Sequence, residues 1–430
     1  MSVAYIKDIG KYIGQTIHLK GWVFNIRSSG KIFFLQIRDG TGVIQVVVEQ
    51  KAVSDDTFKT LEKITIESSV IITGEVKQEK RSPSGFELTG KNVEIIQIAD
   101  DYPIAKKAHG TQFLMDHRHI WLRSSRQRAA LKLRDQIVWA LRSYMKENGF
   151  VLTDSPILTP TAAEGTTTLF KTEFHGETAY LAQTGQLYIE ATAAALGRVY
   201  DFGPTFRAEK SKTRRHLAEF WMLDAEAAFV EHEENLQIQE NLIVSVIKSV
   251  LDESLDELKI LERDPESLKK IRTPFPRLTY DEAIKTLQQK GSNIKWGSDL
   301  GAEDETTISQ EYDQPVFITK YPAAIKAFYM QPDPENEKLV LNADLIAPEG
   351  YGEIIGGSER ISDYNLLVKK LREFKLPQKE YEWYLDLRKY GTFPHSGFGV
   401  GLERVVAWLG KITHIRETIP FPRMLNRLRP

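Results

Sequence analysis

The residues best equipped for chemistry fall in three clusters. The first is Phe206-Arg207-Ala208-Glu209, then a basic stretch with Lys210, Lys212, Arg214 and Arg215, then His216 and the run Glu219 to Asp224. Two strand-like runs flank a loop whose cations can surround a polyphosphate; the alternative is an exposed hairpin kept soluble by its charge. The second cluster is His395-Ser396-Gly397-Phe398-Gly399-Val400-Gly401-Leu402-Glu403-Arg404. Glycines at alternate positions admit a flat ligand or another backbone, or serve only strand-on-helix packing. Arg404 lies in the first turn of the amphipathic helix expected over Leu402–Leu409. The G-x-G-x-G spacing lacks the βαβ context of a dinucleotide site. The third cluster runs from Tyr351 to Arg360, with Asp344 upstream. Glu353 sits there among apolar residues, where an unpaired carboxylate is costly. It is expected to meet a cation: Mg²⁺ held with substrate phosphates is the hard partner, and an ion pair with a nearby arginine is the alternative.

Positioning such clusters takes strands joined by tight turns. In the first hundred residues the β-pattern covers Thr16–Phe24, Ile32–Arg38, Gly42–Glu49, Val70–Val76 and Phe86 to Ile98, with one helical piece near Asp55–Lys63. That number of strands in this length suits a small Greek-key barrel of the OB-fold type. The pattern breaks between Ala99 and Phe113, as at a hinge, and a helix is expected from Leu122 to Asn148 with Gly149 as its C-cap. Further strands are expected at Ala179–Gln183, Val199–Phe206, Phe220–Phe229, Ala324–Tyr329 and Leu339–Ile346. Helices are expected at Leu187–Leu196, Glu234–Leu251, Tyr280–Gln289 and Gln378–Lys389. This order is not a regular βαβ alternation, so the fold class is α+β, with an antiparallel sheet flanked by helices. The domains read as a barrel over 1–100, a linker over 101–115 and a second domain over 116–430.

The chain has 430 residues and no cysteine, which excludes disulfides, thiolate metal sites, cysteine nucleophiles and iron–sulfur clusters. Its 57 Lys+Arg and 59 Asp+Glu nearly cancel. The cancellation hides a stretch over 103–148 with 10 basic and 3 acidic residues, balanced in part by the acidic segment from Glu226 to Asp264. The N-terminus carries no secretory apolar run and no stretch is long enough for a membrane helix, so a cytoplasmic protein is expected.

The three clusters together, with Leu152-Thr153-Asp154-Ser155-Pro156 after the long helix, resemble the motifs of class II aminoacyl-tRNA synthetases. Leu152–Pro156 resembles motif 1, Phe206–Asp224 motif 2 and Gly397–Arg404 motif 3, in order and at family spacing. The N-terminal barrel resembles that of subclass IIb, the aspartyl, asparaginyl and lysyl enzymes. Glu353–Arg360, His395–Arg404 and the ending Arg416–Arg423 are most similar to the bacterial asparaginyl branch. The resemblance implies a ligase that forms asparaginyl-adenylate from asparagine and ATP and transfers the acyl group to the terminal adenosine of tRNA(Asn). It implies Mg²⁺ as cofactor and, through the proline of motif 1, a homodimer.

The resemblance also implies roles. Arg207 would grip the α-phosphate, and Glu209 would contact the adenylate or the tRNA terminus. Arg214, Arg215 and His216 would reach the outer phosphates. Phe220 and Arg404 would sandwich the adenine, and Glu353 with Asp344 would hold Mg²⁺. Glu164 would reach the substrate amine, with Gln183, Gln186, Asp224 and Arg360 completing the amino-acid pocket. The segment Gln183–Glu190 is similar to one that reads QSPQLYK in aspartyl enzymes, with Ile189 in place of the lysine that would pair with an aspartate side chain. Asp224 departs from the glutamate usual in asparaginyl enzymes. In the barrel, Arg27, Phe34 and Gln45 would read the anticodon, with Phe33 turned inward. Alternatives are an aspartate-charging or relaxed enzyme, a paralogue that amidates aspartate, and a tRNA-binding protein without catalysis.

Overall fold

Period-two alternation builds the N-terminal unit. In the computed structural model, which describes residues 3–82, 84–104, 107–161, 163 and 168–430, the chain forms two compact units, Met1–Thr111 and Gln112–Pro430. The first holds β1 (Thr16–Ser29), β2 (Ile32–Arg38), β3 (Val43–Glu49), α1 (Asp55–Leu61), β4 (Ser69–Gln78) and β5 (Phe86–Gln97). The strands close into a barrel in the order β1-β2-β3-β5-β4. Ile44, Val46 and Val48 of β3 point inward to meet Leu35, Ile37, Val70 and Ile72, while Gln45 and Val47 face outward. Closure removes the sheet edges that a five-stranded open sheet would leave unpaired.

The second unit begins its main architecture with α2 (Ser125–Glu147), whose Ser124 side chain accepts from Gln127 N as an N-cap, and which ends before Gly149 at φ +80°. Then come β6 (Val151–Leu152), β7 (Leu158–Thr159), β8 (Lys171–Phe174), β9 (Glu177–Leu181), α3 (Gln186–Leu196), β10 (Arg198–Phe206), β11 (Glu219–Ala228) and α4 (His232–Glu253). After these follow β12 (Arg277–Thr279), α5 (Tyr280–Gln289), α6 (Ala302–Ser309), β13 (Val316–Thr319), β14 (Pro332–Asp333), β15 (Asn336–Val340), β16 (Asn342–Ala347) and β17 (Gly352–Glu359). The last are α7 (Tyr364–Glu373), α8 (Glu382–Lys389), β18 (His395–Gly401) and α9 (Leu402–Leu409).

Eight strands make one sheet in the order β12-β13-β16-β17-β18-β11-β10-β6. Its interior is antiparallel, as expected. The outermost pairs, β12 with β13 and β10 with β6, are parallel, so the sheet is mixed. Each parallel pair is joined through helices, α5 and α6 in one case and α3 in the other, which supply the long crossover that parallel pairing needs. One face is apolar: Leu223, Ala225, Ala343, Leu345, Phe398 and Val400 pack with Leu133, Ile137, Leu242, Val246 and Trp408 of α2, α4 and α9. The opposite face is left to polar residues.

Two expected strands come out differently. Ala324–Tyr329 is not a strand; its first part is a 3-10 turn, Ala323–Ile325, behind Pro322, whose ring nitrogen has no hydrogen to give to a ladder. Leu339–Ile346 divides into β15 and β16, and at the break Asn342 Oδ1 accepts from Tyr321 N at 3.0 Å. The helix expected over Gln378–Lys389 opens as a 3-10 turn, Gln378–Tyr381, and becomes α-helical only at Glu382.

Candidate active site

The polar face of the sheet is read off its register. Asp344 of β16 lies opposite Gly356 of β17, which lies opposite Gly399 of β18, then Asp224 of β11 and Asp201 of β10. Directly opposed residues share a face. Asp344 on one side and Asp224 and Asp201 on the other therefore flank a floor of two glycines, Gly356 and Gly399. A Cβ on Gly399 would lie 2.7 Å from Asp224 Oδ1. Over this floor opens a cleft of about 1320 Å³, lined by residues from all three sequence clusters.

At one end the β10–β11 loop supplies cations. Arg207 N donates to Ala218 O at 3.0 Å, closing the loop, and its Nη1 donates to the carbonyls of Gln183 and Phe206. Its guanidinium lies 5.3 Å from the centroid of Phe220. Arg404, in the first turn of α9, donates Nη1 to the Glu353 carbonyl at 2.8 Å and to Glu353 Oε2 at 3.3 Å. Glu209 and His216 are exposed on the rim, and the His216 ring sits against Thr213 Oγ1.

The two adjacent arginines behave differently. Arg214 is exposed, and among the described residues its side chain hydrogen-bonds the Gly350 carbonyl alone, at 3.5 Å. Arg215 is buried, paired with Glu305 at 3.1 Å and donating to the carbonyls of Ala302 and Gly350 and to Thr306 Oγ1. Its protein partners tie the loop to α6. Both also line an adjoining cavity of about 360 Å³ with Arg126, Arg404 and Lys411.

Glu353 and Asp344 converge over Gly356. A Cβ there would be 2.9 Å from Glu353 Oε1 and 3.7 Å from Asp344 Oδ1, so the glycine leaves a cradle between two hard oxygen donors. Asp344 Oδ2 accepts from Lys326 Nζ at 2.6 Å. Burial pushes the Asp344 carboxyl up to about 6, against the pull of Lys326. Among the described residues no three His, Asp or Glu side chains form a metal cage. Two carboxylates suit an ion that takes its remaining ligands from phosphate and water, as Mg²⁺ does.

At the other end Asp224 is buried, accepting from Thr184 Oγ1 at 2.6 Å and Gly185 N at 2.9 Å, both on Oδ2. Burial pushes it up to about 6, with those hydrogen bonds opposing. Arg360 is equally buried and grips Glu226 with Nε and Nη2, at 3.2 and 2.9 Å. Gln186 lines the cleft, and its Nε2 donates to Glu190. Gln183 contributes its carbonyl to Arg207. Ile189 packs with Ala193 and Val199 in a small apolar cluster. Glu164, Thr166 and Thr167 lie outside the described residues.

Sequence reasoning missed Lys326, Asp299 and Tyr329, which line the cleft from a segment expected to be regular or left unread. It also missed Glu226. The signal was available: Glu226 stands two residues from Asp224, hence on the same strand face.

On the barrel, Arg27 of β1 stands opposite Phe34 of β2, its guanidinium 5.6 Å from the ring. Gln45 of β3 approaches Arg27 at 3.5 Å and donates to Glu87 Oε2 at 2.8 Å. The three expected base-reading side chains thus share one outer face, and Phe33 is in the core.

A sheet floored with glycine, a cation-bearing hairpin and an arginine at a helix start are the parts that define a class. The chain belongs to the tRNA synthetases class II (D, K and N), whose family model matches residues 110–425; an OB-fold nucleic acid binding domain matches residues 17–96. It is 55% identical over 430 residues to asparagine–tRNA ligase of Pelotomaculum thermopropionicum, covering 100% of both chains. It is 56% identical over 432 residues to that of Symbiobacterium thermophilum, covering 99% of each. Among solved structures it is similar to asparaginyl-tRNA synthetase from Pyrococcus horikoshii complexed with asparaginyl-adenylate, with TM-score 0.96, 43% identity and 99% of each chain covered. The Entamoeba histolytica asparaginyl-tRNA synthetase bound to asparaginyl-adenylate gives TM-score 0.89 and 32% identity, with 100% and 99% covered. Among the described residues no helix is long and apolar enough to cross a membrane.

Proposed function

We propose that the chain attaches asparagine to tRNA(Asn) in two steps, the first of which consumes ATP. In the first, the asparagine carboxylate attacks the α-phosphorus of ATP. An O–P bond forms, the bond to pyrophosphate breaks, and asparaginyl-adenylate results. In the second, a hydroxyl of the terminal adenosine of the tRNA attacks the acyl carbonyl and AMP leaves. No protein nucleophile is needed. The work is to bring two anions together, so positioned cations carry most of the catalysis.

Arg207 is assigned to the α-phosphate and Arg404 with Phe220 to the adenine. Arg214 and His216, exposed at the loop, are assigned to the outer phosphates, and Arg215 holds the loop in place beside them. Glu209 is assigned to the adenylate or the tRNA end. Glu353 and Asp344 would hold Mg²⁺, which when bound offsets phosphate charge. Arg27, Phe34 and Gln45 are assigned to anticodon bases by stacking and edge hydrogen bonds.

The observation that carries asparagine as the substrate is the charge balance of the amino-acid end. Arg360, the cation expected there, is already neutralised by Glu226, and Ile189 supplies none. A carboxylate side chain would enter beside Asp224 with neither Arg360 nor position 189 offering an unpaired cation, whereas an amide enters without that cost. Full-length similarity to asparagine–tRNA ligases supports the same reading. The test is ATP–pyrophosphate exchange with asparagine and aspartate side by side. Exchange with asparagine is expected; exchange with aspartate alone would overturn the assignment.

A homodimer formed in the cytoplasm completes the proposal. Val151, Leu152, Ile157 and Leu158, in and after the short edge strand β6, are each about two-fifths exposed, an apolar surface suited to a second copy. Sedimentation should give twice the 49.1 kDa chain mass.

A further inference from the structure

Behind the amino-acid end lies a buried polar hub that the reaction scheme leaves without a role. Its centre is Glu190 on α3, 1% exposed. Four donors converge on this carboxylate. Arg388 Nη2 reaches Oε2 at 2.6 Å, His395 Nε2 reaches Oε2 at 3.0 Å, and Tyr384 OH lies 2.8 Å from both oxygens. The fourth, Gln186 Nε2, is one helical turn earlier and 2.8 Å from Oε1. Burial opposes the charge on Glu190, but Arg388 and His395 outweigh it and hold the carboxyl below the usual range.

An ionised carboxylate accepts hydrogen bonds and cannot donate them. Of the two ends of the Gln186 amide, only the NH₂ can face it. The opposite end, Oε1, accepts no hydrogen bond among the described residues, on a side chain that lines the cleft. We infer that Glu190 is a positioning residue that locks the Gln186 amide with its carbonyl oxygen toward the cleft, where it accepts from the α-ammonium of the amino acid. This deepens the asparagine-charging assignment and rests on it. The hub also explains why the anchor is charged: a neutral amide at position 190 would have to turn its own carbonyl to Arg388 and His395. Its NH₂ would then meet Gln186, which would invert and present a donor to the cationic ammonium.

The experiment compares asparagine with succinamic acid, the same molecule without its ammonium, as ligands of the full-length protein, alongside a melting curve for each variant. Glu190→Gln is expected to weaken asparagine by about 10- to 100-fold, the value of a hydrogen bond to a charged group, with succinamic acid and ATP unchanged. The double variant Gln186→Glu with Glu190→Gln restores an acceptor, because the new amide donates to one carboxylate oxygen and the other faces the cleft. It should recover asparagine over succinamic acid. Equal weakening of both ligands by Glu190→Gln would overturn the inference and leave Glu190 a structural anchor only. Should Glu190→Gln fail to fold, Gln186→Glu alone decides by sign. Facing Glu190, its carboxylate must keep a proton, so asparagine binds more weakly at pH 8 and recovers as pH falls; tighter binding at pH 8 overturns the inference. If the wild type shows no asparagine-dependent exchange at all, the function assignment fails instead, an outcome separate from these.

Discussion

The cleft of the second unit and the outer face of the barrel both carry arginine, an aromatic ring and an amide, yet they are built in opposite ways. In the cleft several charges are held before a ligand arrives: Arg360 by Glu226, Arg215 by Glu305, Lys326 by Asp344. On the barrel Arg27 is exposed, stacks loosely on Phe34 and touches Gln45 at the limit of a hydrogen bond. Fixed charge suits a reaction, because no reorganisation is left to pay for at the transition state. Adaptable stacking suits bases that arrive unstacked and must be wrapped. Variants should therefore separate the two regions by which assay they disturb.

The largest effect is expected at Arg207. Arg207→Ala should lower ATP–pyrophosphate exchange by about 10²- to 10³-fold and tRNA charging with it, as loss of a positioned donor to developing charge does. Equal activity would remove Arg207 from the chemistry. Asp224→Asn should raise the KM for asparagine by roughly 10- to 100-fold while the KM for ATP stays put. A pH profile sharpens the same point. The Asp224 carboxyl titrates near 6 in the folded chain against 3.8 as a free group, so asparagine affinity should fall as pH drops below 6. Stability runs the other way. The native state holds this proton while the unfolded chain has lost it, so the contribution of Asp224 is full below 3.8 and is lost as pH rises through 6.

The barrel predictions are smaller and confined to one assay. Phe34→Ala should cost about 1–3 kcal/mol of tRNA binding, read as reduced charging at low tRNA, with exchange untouched. A parallel loss of exchange would show Phe34 to be structural. Arg27→Ala should weaken charging severalfold and flatten its dependence on salt, since one phosphate-seeking or stacking cation is removed. Least of all, Lys11→Ala should shift the melting temperature hardly at all, because its ion pair with Asp8 is exposed.

Much of this was legible in the chain. The barrel strands followed from strict alternation, and Tyr280–Gln289 and Leu402–Leu409 match their expected helices to the residue because their apolar stripes repeat cleanly. The three chemical clusters meet in one cleft because β11, β17 and β18 are neighbours. The strand expected at Ala324–Tyr329 failed because a short apolar run cannot distinguish a strand from a buried loop.

By itself the sequence determined the three clusters of candidate side chains and the elements that carry them, because motif spacing and strand periodicity are local properties. Which of those side chains are already bound to one another was decided only by the tertiary structure. Arg215 and Arg214 are adjacent and chemically alike, yet one is buried against Glu305 and the other is open to solvent. Glu190 meets Arg388 and His395 across 198 and 205 residues of chain. Charge compensation in a buried site depends on distances between strands and helices that no local pattern encodes.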